Sequence, residues 1–125
     1  IIKLFNYLKD LNIKIAICTS DDRLPTEKTI ELLKIGKYVD YLVCGDDNVS
    51  SKPSPEPIWK ICSKLNINVS NTFMVGDTIS DIHSGLNSKC SKVIGVLSGK
   101  YNGFDLNEAD EVIDTIDNIT DFIIK

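Results

Sequence analysis

The chain has 125 residues, 42% of them hydrophobic, a formal net charge of −4 and an isoelectric point near 4.9. That length makes one domain with a real core, and an acidic balance with its lysines spread along the chain argues against nucleic acid, which wants a basic stripe. No apolar run approaches the roughly 20 residues of a membrane span, and the four scattered cysteines (Cys18, Cys44, Cys62, Cys90) with one histidine speak against zinc and for the free thiols of a cytoplasmic protein.

Ile1, Leu4, Phe5, Leu8 and Leu11 stand at helical spacing and predict an amphipathic helix over residues 1–11. No capping residue precedes it, and Lys3, Asn6, Lys9 and Asp10 break any signal-peptide pattern, so the expectation is a piece of something longer. Asn12 turns the chain into a strand over 13–18, which ends at Thr19-Ser20-Asp21-Asp22. A helix follows from Pro25 to Ile35, with Gly36 as its stop, and then a strand over 38–44 that ends at Gly45-Asp46-Asp47-Asn48.

The loop Val49-Ser50-Ser51-Lys52-Pro53 leads to Ser54 as a helix cap, with Pro55 and Glu56 in the first turn. Ile58, Trp59, Ile61, Cys62 and Leu65 make that helix's expected buried stripe, closed by Asn66. Next comes an apolar strand, Phe73-Met74-Val75, which breaks at Gly76 and delivers Asp77 and, one helical turn on, Asp81. A short helix over 80–87, a buried strand over 92–97, a loop over 98–103, a last strand over 111–113 and a helix capped by Asp114 complete the chain. In that last helix Ile116, Ile119, Phe122 and Ile123 are expected to face inward. Strands alternate with helices throughout, which predicts a doubly wound parallel sheet with right-handed crossovers.

In such a sheet the carboxyl ends of the strands gather Thr19, Lys52, Asp77 and Asp81. Phosphoryl transfer asks for what these groups offer: a hydroxyl for a nonbridging oxygen, a cation beside developing charge, and carboxylates for Mg²⁺. Each piece alone has a bland reading, as a loop lysine, a strand-ending threonine, or a capping and a solvated aspartate. The order Thr, Lys-Pro, Gly-Asp-x-x-x-Asp is far more specific than any of them. His83 and the pairs Asp21-Asp22 and Asp46-Asp47 read as solvated helix and loop residues, and Trp59 as core.

The order and residues resemble the haloacid dehalogenase superfamily of hydrolases, in its phosphoglycolate phosphatase-like and phosphoglucomutase-like branch. The similar stretches are Ile15-Ala16-Ile17-Cys18-Thr19-Ser20, Ser51-Lys52-Pro53-Ser54-Pro55-Glu56, Val75-Gly76-Asp77-Thr78-Ile79-Ser80-Asp81, Val93-Ile94-Gly95-Val96-Leu97-Ser98-Gly99 and Ala109-Asp110-Glu111-Val112-Ile113. The resemblance implies a single Rossmann-like core domain over residues 1–125 and a Mg²⁺-dependent hydrolase of small phosphorylated metabolites. It implies that Thr19 and Ser20 bind the phosphoryl group, that Lys52 neutralises charge on it, and that Asp77 and Asp81 serve the metal. The acid pair suits a phosphatase better than a dehalogenase, which needs no metal.

Two departures matter. The family's opening Asp-x-Asp, whose first carboxylate is the nucleophile and whose second is the general acid/base, is absent, as is the cap domain. The missing strand belongs between the strand ending at Thr19 and the one ending at Asp77, so either those two close up or a slot stays open between them. Lys89 stands where relatives carry glycine, with a left-handed helix stop expected at Asn87 or Lys89. The competing functions are a non-catalytic phosphate- or Mg²⁺-binding module and a phosphomutase. A receiver domain is excluded by the order of acids, Thr and Lys.

Overall fold

The computed structural model describes residues 1–97 and 105–123. Every ladder among them is parallel, as alternating strands and helices require. The helices are α1 (Ile2–Asp10), α2 (Arg23–Leu32), α3 (Glu56–Leu65), α4 (Ile79–Ser88) and α5 (Thr120–Ile123). The strands are β1 (Ala16–Cys18), β2 (Tyr41–Val43), β3 (Phe73–Gly76), β4 (Lys92–Val96) and β5 (Glu111–Ile113). The loop expected over residues 98–103 lies outside the described residues.

The strands fall into two sheets. Among the described residues β1 pairs only with β2, with Cys18 opposite Val43, and β3, β4 and β5 form the other sheet in that order, with Gly76 opposite Gly95 and Val96 opposite Ile113. Of the two arrangements expected from the sequence, the side-by-side pairing is not adopted: among the described residues β1 and β3 make no ladder. They nevertheless share one core, in which Leu4, Phe5 and Leu8 of α1 meet Ile15, Ile94, Ile113 and Ile119, with Ile17, Phe73 and Val75 packed against them. The opposite face of the larger sheet is built on Ile82, Val93 and Leu106. Residues 93 and 94 serve opposite faces because side chains alternate along a strand. Burying Ile94, which is fully enclosed, contributes about 1.5–3 kcal/mol.

Helix ends depart in detail from the sequence reading. The stop after α2 is Lys34 at φ 58°, two residues before Gly36, which opens a 3₁₀ turn over Gly36–Tyr38. Lys89 takes the left-handed stop after α4 at φ 66°, as one of the two expected positions, and Asn66 closes α3 at φ 56°. The cap near the carboxyl terminus is Thr115, whose Oγ1 accepts from the Asp117 amide at 3.4 Å, and not Asp114. In α3, Ile58 and Cys62 are buried and Ile61 and Leu65 are half-buried, but Trp59 is 48% exposed. Trp59 is therefore not core: it sits at the margin of the apolar stripe, where its indole Nε1 donates to the Ser88 carbonyl at 3.1 Å.

The chain's single arginine, Arg23, anchors the amino end of α2, a helix without a buried residue. Its guanidinium donates to both carboxylate oxygens of Asp47 (3.3 and 2.7 Å) and to the Leu42 carbonyl, while Asp46 accepts from the Arg23 amide at 2.8 Å. Asp46 and Asp47 are thus loop-fixing residues. The Arg23 guanidinium, with the Cys44 amide, holds the Asp47 carboxyl below its ordinary value of 3.8. Asp40 is half-buried, and the loss of solvent alone would raise its carboxyl, but bonds from Lys9 and the Ile15 amide prevail and lower it.

A depressed carboxyl contributes stability that is present above the ordinary value and is lost as pH falls through the folded one. The urea midpoint is therefore expected to decline progressively below about pH 4. Asp47→Asn should show a shallower decline, and equal declines in the two proteins would contradict the assignment.

Candidate active site

β3 ends at Gly76, and the chain turns at once into α4 through a capping box. Thr78 Oγ1 accepts from the Asp81 amide at 3.1 Å, and Asp81 Oδ2 accepts from the amides of Asp77 and Thr78, each at 3.2 Å. Gly76 permits this closeness, since a Cβ there would lie 2.3 Å from the Asp81 Cβ. The other oxygen, Oδ1, pairs with Lys52 Nζ at 2.5 Å, with both side chains almost enclosed. Lys52 Nζ also donates to the Cys18 carbonyl at 3.3 Å, so one ammonium touches the end of β1 and the start of α4.

Thr19 and Ser20 follow β1 directly. Thr19 is pinned by its amide, which donates to the Val43 carbonyl at 3.0 Å, and its Oγ1 accepts from the Asp21 amide at 3.1 Å. That bond uses the hydroxyl as an acceptor and leaves its proton to donate. Thr19, Ser20, Gly45, Ser51 and Lys52 line a small cleft together with Cys18. Burial pushes the Cys18 thiol up despite the nearby Lys52.

Gly45 sets the cleft's far wall. A Cβ at this position would stand 2.0 Å from the Ser20 carbonyl oxygen, a backbone atom that cannot swing aside. Gly45→Ala is expected to lower the unfolding free energy by about 1–3 kcal/mol and to displace the Thr19-Ser20 turn. Thermal or urea unfolding checks the first, and the amide shifts of Thr19 and Ser20 the second.

Thus Thr19, Ser20, Lys52 and Asp81 are brought together, and Asp77 stands beside them. Asp77 is exposed, and its carboxylate has no hydrogen-bond partner among the described residues. Asp81 differs: both its oxygens are engaged, one by a cation and one by two amides. One open carboxylate suits Mg²⁺, which often takes one or two carboxylates, substrate phosphate oxygens and waters. No cluster of three or more metal-ligating side chains occurs among the described residues. His83 Nε2 lies 3.3 Å from Glu108 on the surface, away from this group.

Sequence reasoning missed Arg23, Gly45 and two residues of α4 that hold the Lys52 loop: Ser84 Oγ donates to the Ser54 carbonyl at 2.8 Å and Asn87 Nδ2 to the Pro53 carbonyl at 3.1 Å. The available signal was their spacing, three and six residues beyond Asp81.

A model of the haloacid dehalogenase-like hydrolases matches residues 1–96. The chain belongs to this family. Among curated relatives of this haloacid dehalogenase-like chain, it is 37% identical over 81 residues to pyrophosphatase PpaX of Bacillus mycoides, covering 65% of this chain and 38% of the relative. It is 28% identical over 120 residues to a phosphoglycolate phosphatase of Psychrobacter arcticus, covering 94% and 52%. The chain thus spans about half the length of the curated relatives it matches, or less.

Solved structures agree on the fold. A hydrolase from Pseudomonas syringae superposes at a TM-score of 0.86 with 23% identity, covering 98% of this chain and 58% of that one. The beta-phosphoglucomutase of Clostridium difficile does so at 0.78 with 21% identity, covering 98% and 56%. At these identities the likeness speaks for the Rossmann-like fold alone.

Proposed function

We propose that this chain carries the phosphate- and metal-holding side of a Mg²⁺-dependent hydrolase of small phosphate esters, with the nucleophilic carboxylate on a segment outside it. The observation that carries this reading is the position of Lys52 between the Cys18 carbonyl and Asp81, with Thr19 lining the same cleft. A cation and a donor hydroxyl then flank an incoming phosphoryl group, and preorganised charge of this kind is the largest lever on such reactions. Asp77 would hold Mg²⁺, which supplies charge neutralisation on the phosphoryl oxygens when bound. Asp81 would hold Lys52 and the turn that presents Asp77.

The phosphatase names of its relatives support the reaction class, and an aspartyl-phosphate route would need its nucleophilic carboxylate from another segment, because this chain has no Asp-x-Asp. The substrate would be a small phosphorylated metabolite met in the cytoplasm. No helix among the described residues is long and apolar enough to cross a membrane.

The test is Mg²⁺-dependent hydrolysis of p-nitrophenyl phosphate by this chain and by a longer protein that carries it together with an Asp-x-Asp segment. Activity only in the longer protein, abolished by Asp77→Ala, supports the reading. Activity in the 125-residue chain itself would overturn the assignment of the nucleophile. Silence in both would favour a phosphate- or Mg²⁺-binding module, the reading that the absent nucleophile otherwise suggests.

A further inference from the structure

Lys52 stands in a stretch without helix or strand, between β2 and α3. A lysine ammonium is a point charge on a flexible four-carbon stem, so its place in a site is only as definite as the backbone that bears it. Here the two carbonyls that follow it are both taken by α4: Pro53 O by Asn87 Nδ2 and Ser54 O by Ser84 Oγ. Asp81, which grips the ammonium itself, lies one turn before Ser84 on the same helix face.

Ser84 is fully enclosed, and a buried hydroxyl is costly unless bonded. A helical serine ordinarily meets that need by bonding back to a carbonyl of its own preceding turn. Ser88 does so, donating to Gly85 O at 2.7 Å, whereas Ser84 on the same helix donates outward to a carbonyl 30 residues earlier in the chain.

We propose that Ser84 and Asn87 are positioning residues for Lys52, fixing its ammonium by holding the backbone of the next two residues against α4. The functional consequence rests on Lys52 being the anion-binding cation proposed above. The geometric claim does not.

The test uses the full chain, with Ser84→Ala and Asn87→Ala, and reads the acetylation rate of each lysine under dilute acetic anhydride by mass spectrometry. Asn87 is exposed, so its variant folds even where loss of the buried hydroxyl proves too costly. Losing one holding bond should speed acetylation of Lys52 roughly two- to tenfold, with Lys60 and Lys64 of α3 unchanged. An unchanged Lys52 rate in both variants, or a common rise at all three lysines, would overturn the proposal. Inorganic phosphate is the probe in the second readout: the concentration that half-protects Lys52 should rise by a similar factor in the variants. Absence of protection in the unaltered chain would count against the phosphate-site reading and leave the positioning claim to the first readout.

Discussion

Asp81→Ala is expected to be the most damaging single change to the fold, lowering the unfolding free energy by about 3–5 kcal/mol. It leaves the Lys52 ammonium, whose side chain is only 11% exposed, without its counter-charge, and it removes the acceptor for the amides of Asp77 and Thr78. Domains of this size hold roughly 5–15 kcal/mol in all, so the variant should be partly unfolded near physiological temperature. Urea denaturation followed by far-UV circular dichroism measures the loss. Asp81→Asn keeps an acceptor for the two amides while removing the charge, and it should recover part of the difference. If alanine costs no more than an ordinary surface change, the pair is not the anchor that its burial implies.

The second large effect concerns activity. In a longer protein that carries this chain together with an Asp-x-Asp segment, the proposed function predicts that Lys52→Met reduces kcat/KM for a phosphate ester by about 10²–10³-fold, the loss typical of removing one preorganised charge or donor from a transition state. Methionine keeps the apolar stem and its packing, so the change isolates the ammonium. Asp81 then retains its two amide donors, which makes the stability loss smaller than in Asp81→Ala. Measuring both quantities separates two roles. A large fall in kcat/KM with modest destabilisation marks Lys52 as part of the chemistry, whereas a severalfold fall that tracks stability would reduce it to a partner for Asp81.

Much of this was legible in the sequence because it is local. The break at Gly76, the Asp77 to Asp81 spacing and the alternation of strands with helices are each set within a few residues, and they produced the right element order; the cap at Thr78 was not read. What could not be read is what depends on distant partners. The position of Asp81 on α4, one turn beyond Asp77, is visible in the sequence, while the lysine that pairs with its Oδ1 lies 29 residues away. Trp59 looked like core because helical spacing describes only the helix's own side of a contact. Which neighbour covers each part of the stripe is decided by α4, whose Ser88 carbonyl takes the indole at the surface. Gly36 is the more obvious stop because glycine is the cheapest left-handed residue, yet Lys34 bears that conformation, as a single lysine can at modest cost. The grip of Arg23 on Asp47, across 24 residues, left no local trace at all.

The division of the strands into two sheets gives Lys52 a mechanical part as well. Its ammonium binds the last carbonyl of β1 on one side and the first turn after β3 on the other, so it bridges two strands that no ladder joins. Any anion that draws the ammonium toward itself competes with that bridge. The two sheets also share one apolar core, so this ammonium adds a polar tie to a contact that is otherwise made by packing.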